Sequence, residues 1–261
     1  MQATSTAAST DSRNSQEETG RERLRSLPSP CRLTVQGESA VLNLRPGNVT
    51  QAAGMIYSYG CCIVKSSLSA ESLTRWLQEM QRIPVSRLEE RNPFDASRFT
   101  YGRCGMLPDE RYAELEEDVA LNEICCKVLS PGWVFGKRGG DLVTRNSCSA
   151  QNLHSDWGAY PTHSRALGYA LVASLALHDI PAEQAALRIM PWCMDGYGSE
   201  PYIDEVKGKR CGFQVPLARG EIIIRDCRMA HAGMPNTTNR DRVLPGIHIN
   251  SAEWLASEGY R

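Results

Sequence analysis

Residues 220–250 read GEIIIRDCRMAHAGMPNTTNRDRVLPGIHIN. Glu221–Arg225 is an Ile-rich run bounded by turn residues, which reads as a short buried strand, and Val243–Asn250 reads as another. The first strand leads into His231; Gly233, Pro235 and Asn236 supply a turn, and Arg242 opens the second strand. Working outward, Leu167–Leu177, Ala186–Met190 and Gly212–Leu217 carry the same signature, separated by Gly, Pro and Asn clusters. A second half built of many short strands points to a β-sandwich or jelly roll.

The first half reads differently. Gly60–Lys65 (GCCIVK) is a short strand followed by a well-marked helix. Ser69 is its N-cap, Glu71 lies in the first turn where the helix dipole favours it, and Leu68 and Leu73 are placed for a hydrophobic staple. Leu73, Trp76, Leu77 and Met80 fall at i, i+3, i+4 and i+7, giving one apolar face, and Pro84 stops the helix. A second helix is expected from Asp109 to about Leu129, capped by Asp109 and ended by Pro131-Gly132. Helices first and strands afterwards make an α+β protein with flanking N-terminal helices and a second half that is a β-sandwich or jelly roll.

Residues 1–30 are rich in Ser, Thr, Arg and Glu and hold almost no large apolar side chain before Leu24, so a disordered tail is expected there. Asp11, Glu17, Glu18 and Glu22 argue against a transit peptide, which is acid-poor. Residues 31–261 then form a single domain, since 41% hydrophobic content over this length can bury one sizeable core. With 29 basic and 30 acidic residues there is no basic excess for nucleic acid. The longest apolar run, Ala166–Leu177, is too short to span a bilayer. Ten cysteines without any CxxC pair, and without a secretory leader, read as reduced and mostly buried thiols of a cytoplasmic protein.

The chemistry concentrates in two places. Leu153-His154-Ser155-Asp156-Trp157 sets an imidazole and a carboxylate two positions apart, and on a strand those side chains share a face. Such a triplet is common by chance in a chain with five His and 30 acids, so the second cluster carries the weight. If His231 joins His154 and Asp156, the donor set suits non-haem Fe(II) and leaves positions open for a bidentate co-substrate and O2. A 2-oxoacid would chelate through its keto oxygen and one carboxylate. Its distal carboxylate then needs a fixed cation, and Arg242, with a planar guanidinium on the strand after His231, is well placed.

Three segments resemble the phytanoyl-CoA dioxygenase-like oxygenases: GCCIVKSSLSAESLTRWLQEMQ at the opening strand and helix, LHSDWG at the HxD segment, and GEIIIRDCRMAHAGMPNTTNRDR at the distal segment. In order, they bracket roughly Gly54 to Asn250. The resemblance implies a distorted double-stranded β-helix binding Fe(II), 2-oxoglutarate and O2. His154, Asp156 and His231 would be the iron ligands, and Arg242 the partner of the distal carboxylate. Two departures stand out: Ser155 occupies a place often held by Gln, and Met190-Pro191-Trp192-Cys193 replaces a Pro-Gly-Ser-His stretch. Asp156 stands where related halogenases carry a small residue, so hydroxylation or desaturation is expected rather than halogenation.

Other residues have two readings each. Trp157, Tyr160 and Trp192 either line a substrate pocket or pack in the core. Lys137, Arg138 and Arg145 either attract an acidic substrate or belong to a solvated loop. Gln151 and Asn236 are candidate hydrogen-bond partners to the iron or co-substrate. His178 has no carboxylate at the i+2 position and His248 lies in an Ile-rich strand, so these two, like His163, read as core or surface histidines rather than ligands. The expected substrate is a small molecule or natural-product intermediate, with no nucleic-acid or membrane partner. Two other readings remain, a non-oxygenase metal-binding cupin (an isomerase or sensor) and a catalytically silent binding module.

Overall fold

A computed structural model describes residues 34–36, 39–41, 44–83, 89–90, 98–100, 109–147, 150–151, 154–156, 170–181, 187–190 and 213–257. The tail expected over residues 1–30 lies outside the described residues, as do Trp157, Tyr160, His163 and Trp192. The strands are β1 (Thr34–Gln36), β2 (Ser39–Val41), β3 (Cys61–Lys65), β4 (Glu89–Glu90), β5 (Arg98–Thr100), β6 (Val134–Val143), β7 (Ala170–Leu175), β8 (Leu187–Met190), β9 (Phe213–Val215), β10 (Glu221–Asp226), β11 (Ala230–Gly233) and β12 (Arg242–Asn250). The helices are α1 (Val49–Tyr59), α2 (Ala70–Arg82), α3 (Asp109–Glu116), α4 (Val119–Val128) and α5 (Ala252–Ser257).

Seven strands form a large sheet in the order β3-β10-β7-β12-β6-β5-β4, and three form a smaller one in the order β11-β8-β9. Every pairing is antiparallel. This is the α+β jelly-roll architecture expected. All six residues of β7 and all six of β10 are buried, which is why β7 and the Ile222–Ile224 stretch of β10 show no apolar–polar alternation. α1 packs on β3 and β10, and α4 packs on α1 and β3.

Ser69 caps α2 as expected, accepting the Ser72 N–H, and Leu73, Trp76 and Met80 are buried. Trp76 is fully enclosed and meets the Tyr112 ring edge-on at 5.7 Å. The helix expected over 109–129 is in fact two. Asp118 breaks it by capping α4: its Oδ1 accepts the Leu121 N–H at 3.0 Å, and its Oδ2 accepts from Ser66 Oγ, Ser67 N and Ser67 Oγ at 2.9, 2.6 and 2.9 Å. Among the described cysteines, Cys61, Cys62, Cys125 and Cys227 are buried free thiols and Cys126 is exposed.

The central strand β12 contains a proline. Pro245 has no N–H to give, and the ladder between β12 and β7 ends at the Gly246–Ser174 pair beside it. On the other flank Pro245 lies opposite Gly140, whose φ of +143° only glycine adopts without strain. A Cβ there would meet the Leu244 oxygen and Pro245 Cα at 2.5 Å, so the two main chains approach closely because one of them lacks a side chain.

Candidate metal centre

The stretch between β6 and β7 runs antiparallel to the stretch containing β11, and main-chain hydrogen bonds zip them together. Asn146 N donates to Thr238 O, Ser147 N to Asn236 O, Gln151 N to Gly233 O and Asp156 N to Cys227 O, at 3.0, 2.9, 2.8 and 3.1 Å. His154 and His231 exchange both bonds, at 2.9 and 2.8 Å. The HxD segment is therefore a single bridge within this zipper rather than a long strand. The backbone alone sets the two histidines face to neighbouring face, with ring centroids 4.6 Å apart.

Asp156 completes the cluster. One ligand atom from each of His154, Asp156 and His231 can be chosen so that all lie within 4.8 Å of one another, a spacing at which they can hold one metal ion. His231 is 2% exposed, and its Nδ1 lies 3.0 Å from the Met229 carbonyl, which accepts the ring proton. That fixes the tautomer and leaves Nε2 as a lone-pair donor, 3.5 Å from Asp156 Oδ1. Burial, and then the nearby Arg225 charge, pull the His231 pKa down to about 4, so the imidazole is neutral and has no proton to displace at ordinary pH. Burial alone would raise Asp156, but the Arg225 guanidinium outweighs it and holds the carboxyl far below the usual carboxylate range. Two imidazoles and one carboxylate are a donor set of intermediate hardness, suited to Fe(II).

Arg225 was not singled out in the sequence. It ends the Ile222–Ile224 run, its side chain is 9% exposed, and its Nη1 donates to Asp156 Oδ2. The available signal was the charge itself: an Arg contiguous with a buried apolar strand needs an acidic partner.

The next turn, Asp226–Met229, shapes the approach to His231. Asp226 is fully buried; its Oδ1 accepts the Arg228 N–H and Nε–H, both at 2.8 Å, and its Oδ2 accepts from Nη2 at 2.7 Å. Met229 N closes the turn on Asp226 O at 3.0 Å.

The other candidate residues that the structure describes, Gln151 and Asn236 among them, take protein partners. Gln151 Oε1 accepts the Gly233 N–H at 2.8 Å, so its side chain clamps β11 to the HxD segment. Asn236 is fully buried; its amide donates to Val143 O and Arg240 O at 3.1 and 2.6 Å, and its oxygen accepts from Thr238 Oγ1 at 2.8 Å. It holds the loop that delivers Arg242 to the start of β12. Arg242 is 3% exposed and pairs with Val143 across the sheet. His178 stands beside it: its Nε2 accepts the Val243 N–H at 3.4 Å. Burial first, with the charges of Arg240 and Arg242 adding to it, depresses the His178 pKa. Arg138 pairs with Glu116 from within β6, and Arg145 N donates to Asp241, so both take structural partners. His248 sits on β12 opposite Val172. No helix among the described residues is long and apolar enough to cross a membrane.

Comparison with known proteins agrees with this fold. The chain resembles solved structures of HygX from Streptomyces hygroscopicus with nickel, 2-oxoglutarate and hygromycin B bound (TM-score 0.60, 16% identity, covering 77% of this chain and 87% of that one). It also resembles the epimerase SnoN in complex with Fe3+, α-ketoglutarate and nogalamycin RO (TM-score 0.62, 19% identity, 78% and 83%). A third is the α-ketoglutarate-dependent carbocyclase SnoK from nogalamycin biosynthesis (TM-score 0.62, 16% identity, 79% and 87%). At these identities the likeness establishes the fold. No curated protein sequence matches the chain significantly. The sequence profile of phytanoyl-CoA dioxygenase (PhyH) matches residues 56–244, which span the HxD segment, His231 and Arg242, and the chain belongs to that family.

Proposed function

We propose that the protein is an Fe(II)- and 2-oxoglutarate-dependent dioxygenase that hydroxylates or desaturates a small-molecule or natural-product substrate, releasing succinate and CO2. The observation that carries this reading is the convergence of His154, Asp156 and His231 within 4.8 Å on a main-chain zipper. Bound there, the metal would supply O2 activation coupled to oxidative decarboxylation of the 2-oxoacid. The chain's own residues do the rest. His154, Asp156 and His231 would hold the ion, with His231 locked in orientation by the Met229 carbonyl. Arg242 pairs with the distal carboxylate of the co-substrate from a buried strand position where water screens the pair poorly. Asn236 fixes the loop that carries Arg242, and Gln151 keeps β11 against the HxD segment. HygX and SnoN, solved with hygromycin B and with a nogalamycin, support a substrate of small-molecule size.

The test is succinate formation from 2-oxoglutarate under O2 by the Fe(II)-loaded protein, with Asp156→Ala as control and a library of small acids and metabolites screened for stimulation. Succinate from the wild type and none from the variant is expected. Products are then read by mass: gain of one oxygen marks hydroxylation, and loss of two hydrogens marks desaturation. No succinate, together with no 2-oxoglutarate-dependent change in the iron's absorbance, would overturn the reading in favour of a non-oxygenase cupin or a binding module.

A further inference from the structure

Arg225 is not among the residues proposed to hold the ion or the 2-oxoacid, yet the fold goes to some length to place it. It stands on β10, between β3 and β7, in a strand buried along its whole length. Val172 is its cross-strand neighbour, and Val172 in turn pairs with His248 on β12. The guanidinium is thus delivered from a central strand, one of the least movable parts of a sheet.

Its contacts are sparse. Among the described residues its hydrogen bond is the one from Nη1 to Asp156 Oδ2, while its Nε is buried with no partner. A buried ion pair with an unsatisfied N–H is a poor source of stability, because the desolvation of two charges can exceed their attraction. Such a pair asks for another explanation, and the other end of the carboxylate provides it. Asp156 Oδ1 lies 3.5 Å from His231 Nε2, on the side of the cluster, while Oδ2 is turned to Arg225. The two oxygens have separate partners. A carboxylate with both oxygens free can bind one ion through either or both.

We propose that Arg225 is a positioning residue for the metal centre: by occupying Asp156 Oδ2 it presents Oδ1 alone to the ion, and so keeps a coordination position free for the 2-oxoacid. This rests on the oxygenase reading above. Its fixed positive charge also offsets the negative charge that a dianionic co-substrate brings to a buried site.

Co(II) serves as the probe, since its visible absorption reports coordination number without turnover. Arg225→Gln is expected to change the Co(II) spectrum of the loaded protein as Oδ2 joins the ion, and to weaken 2-oxoglutarate binding, read from the spectral shift on titration, by at least about 10-fold. Arg225→Lys, which keeps the charge and loses the planar fork, should fall between the two. A purely structural Arg225 would lower the melting temperature of the variants and leave the Co(II) spectrum and the 2-oxoglutarate affinity unchanged, and that result would overturn the proposal. The oxygenase reading fails separately, if the wild-type Co(II) spectrum responds neither to 2-oxoglutarate nor to Asp156→Ala. A measurement on the wild type covers variants that do not fold: the infrared difference between Zn(II)-loaded and metal-free protein. Widely separated carboxylate stretches, the mark of one-oxygen binding, are expected; closely spaced ones, the mark of chelation, would overturn it.

Discussion

Replacing Asp226 tests how the chain orients His231 without touching a proposed ligand. The Asp226 carboxylate is fully buried and accepts three charge-assisted bonds from Arg228, at 2.8, 2.8 and 2.7 Å. Its main chain joins the same turn to the rest of the fold, with Asp226 N donating to Gly60 O at 2.8 Å. That turn sets the Met229 carbonyl 3.0 Å from His231 Nδ1. Alanine removes all three side-chain bonds and takes away the carboxylate facing a guanidinium that is 13% exposed. Breaking a buried pair costs about 3–5 kcal/mol, and the residual water contact of Arg228 places this case near 3. Removing what orients a ligand histidine lowers metal affinity about 10- to 100-fold; the Met229 carbonyl survives here, so about 10-fold is expected. Urea denaturation of the metal-free protein gives the first number, and Zn(II) titration against a chromophoric competitor gives the second. Asp226→Asn keeps an oxygen for the Arg228 N–H and Nε–H, and should lose about half the stability and little of the affinity. An Asp226→Ala protein that is destabilised but binds Zn(II) like the wild type would refute the claim that this turn orients His231.

Two further substitutions probe other parts of the argument. Arg242→Ala leaves the distal carboxylate of 2-oxoglutarate without its cation; at about 3–5 kcal/mol for a broken buried pair, the apparent affinity should fall about 100-fold or more, and unchanged 2-oxoglutarate dependence would remove Arg242 from that role. Gly140→Ala forces a Cβ to within 2.5 Å of the β12 main chain at a φ of +143°, so a stability loss of about 3 kcal/mol or failure to fold is expected, and a wild-type melting temperature would show that β6 and β12 can separate freely.

What the sequence made legible follows from how local each signal is. α2 was readable because its cap, its apolar face and its stop lie within one stretch, Ser69 to Pro84. The break between α3 and α4 was not, because the groups that recruit Asp118 are Ser66 and Ser67, about fifty positions earlier. β6 escaped notice for a related reason. Its sequence, VFGKRGGDLV, is rich in Gly and charge, and it is a strand because β5 and β12 pair along its two edges. α1, with Gly54 in its interior and no acidic first turn, has little helical signal of its own; Asn48 caps it, Gly60 ends it, and its buried face packs on β3 and β10. The convergence of His154, Asp156 and His231 was legible because the HxD triplet and the distal His segment, taken together and in order, resemble a known family pattern that names these three positions. Arg225 was hidden because its partner Asp156 lies 69 positions away.

The order of residues from 225 to 242 has a mechanical logic. Arg225 meets Asp156, Asp226 ties down Arg228, Met229 turns His231, Asn236 pins the loop, and Arg242 follows at the head of β12. Across from this stretch, the HxD segment is held by main-chain hydrogen bonds that depend on no particular side chain. The ligand spacing is therefore a property of two backbones in register, with the side chains between them setting orientation and charge. A centre built this way decouples metal geometry from substrate choice. The proposed substrate-facing residues Trp157, Tyr160 and Trp192 lie in sequence outside both zipped stretches, so exchanging them should alter which molecule is oxidised and leave Co(II) or Zn(II) affinity unchanged. Metal affinity that fell with Trp157→Ala or Trp192→Ala would show that the two functions share a framework after all.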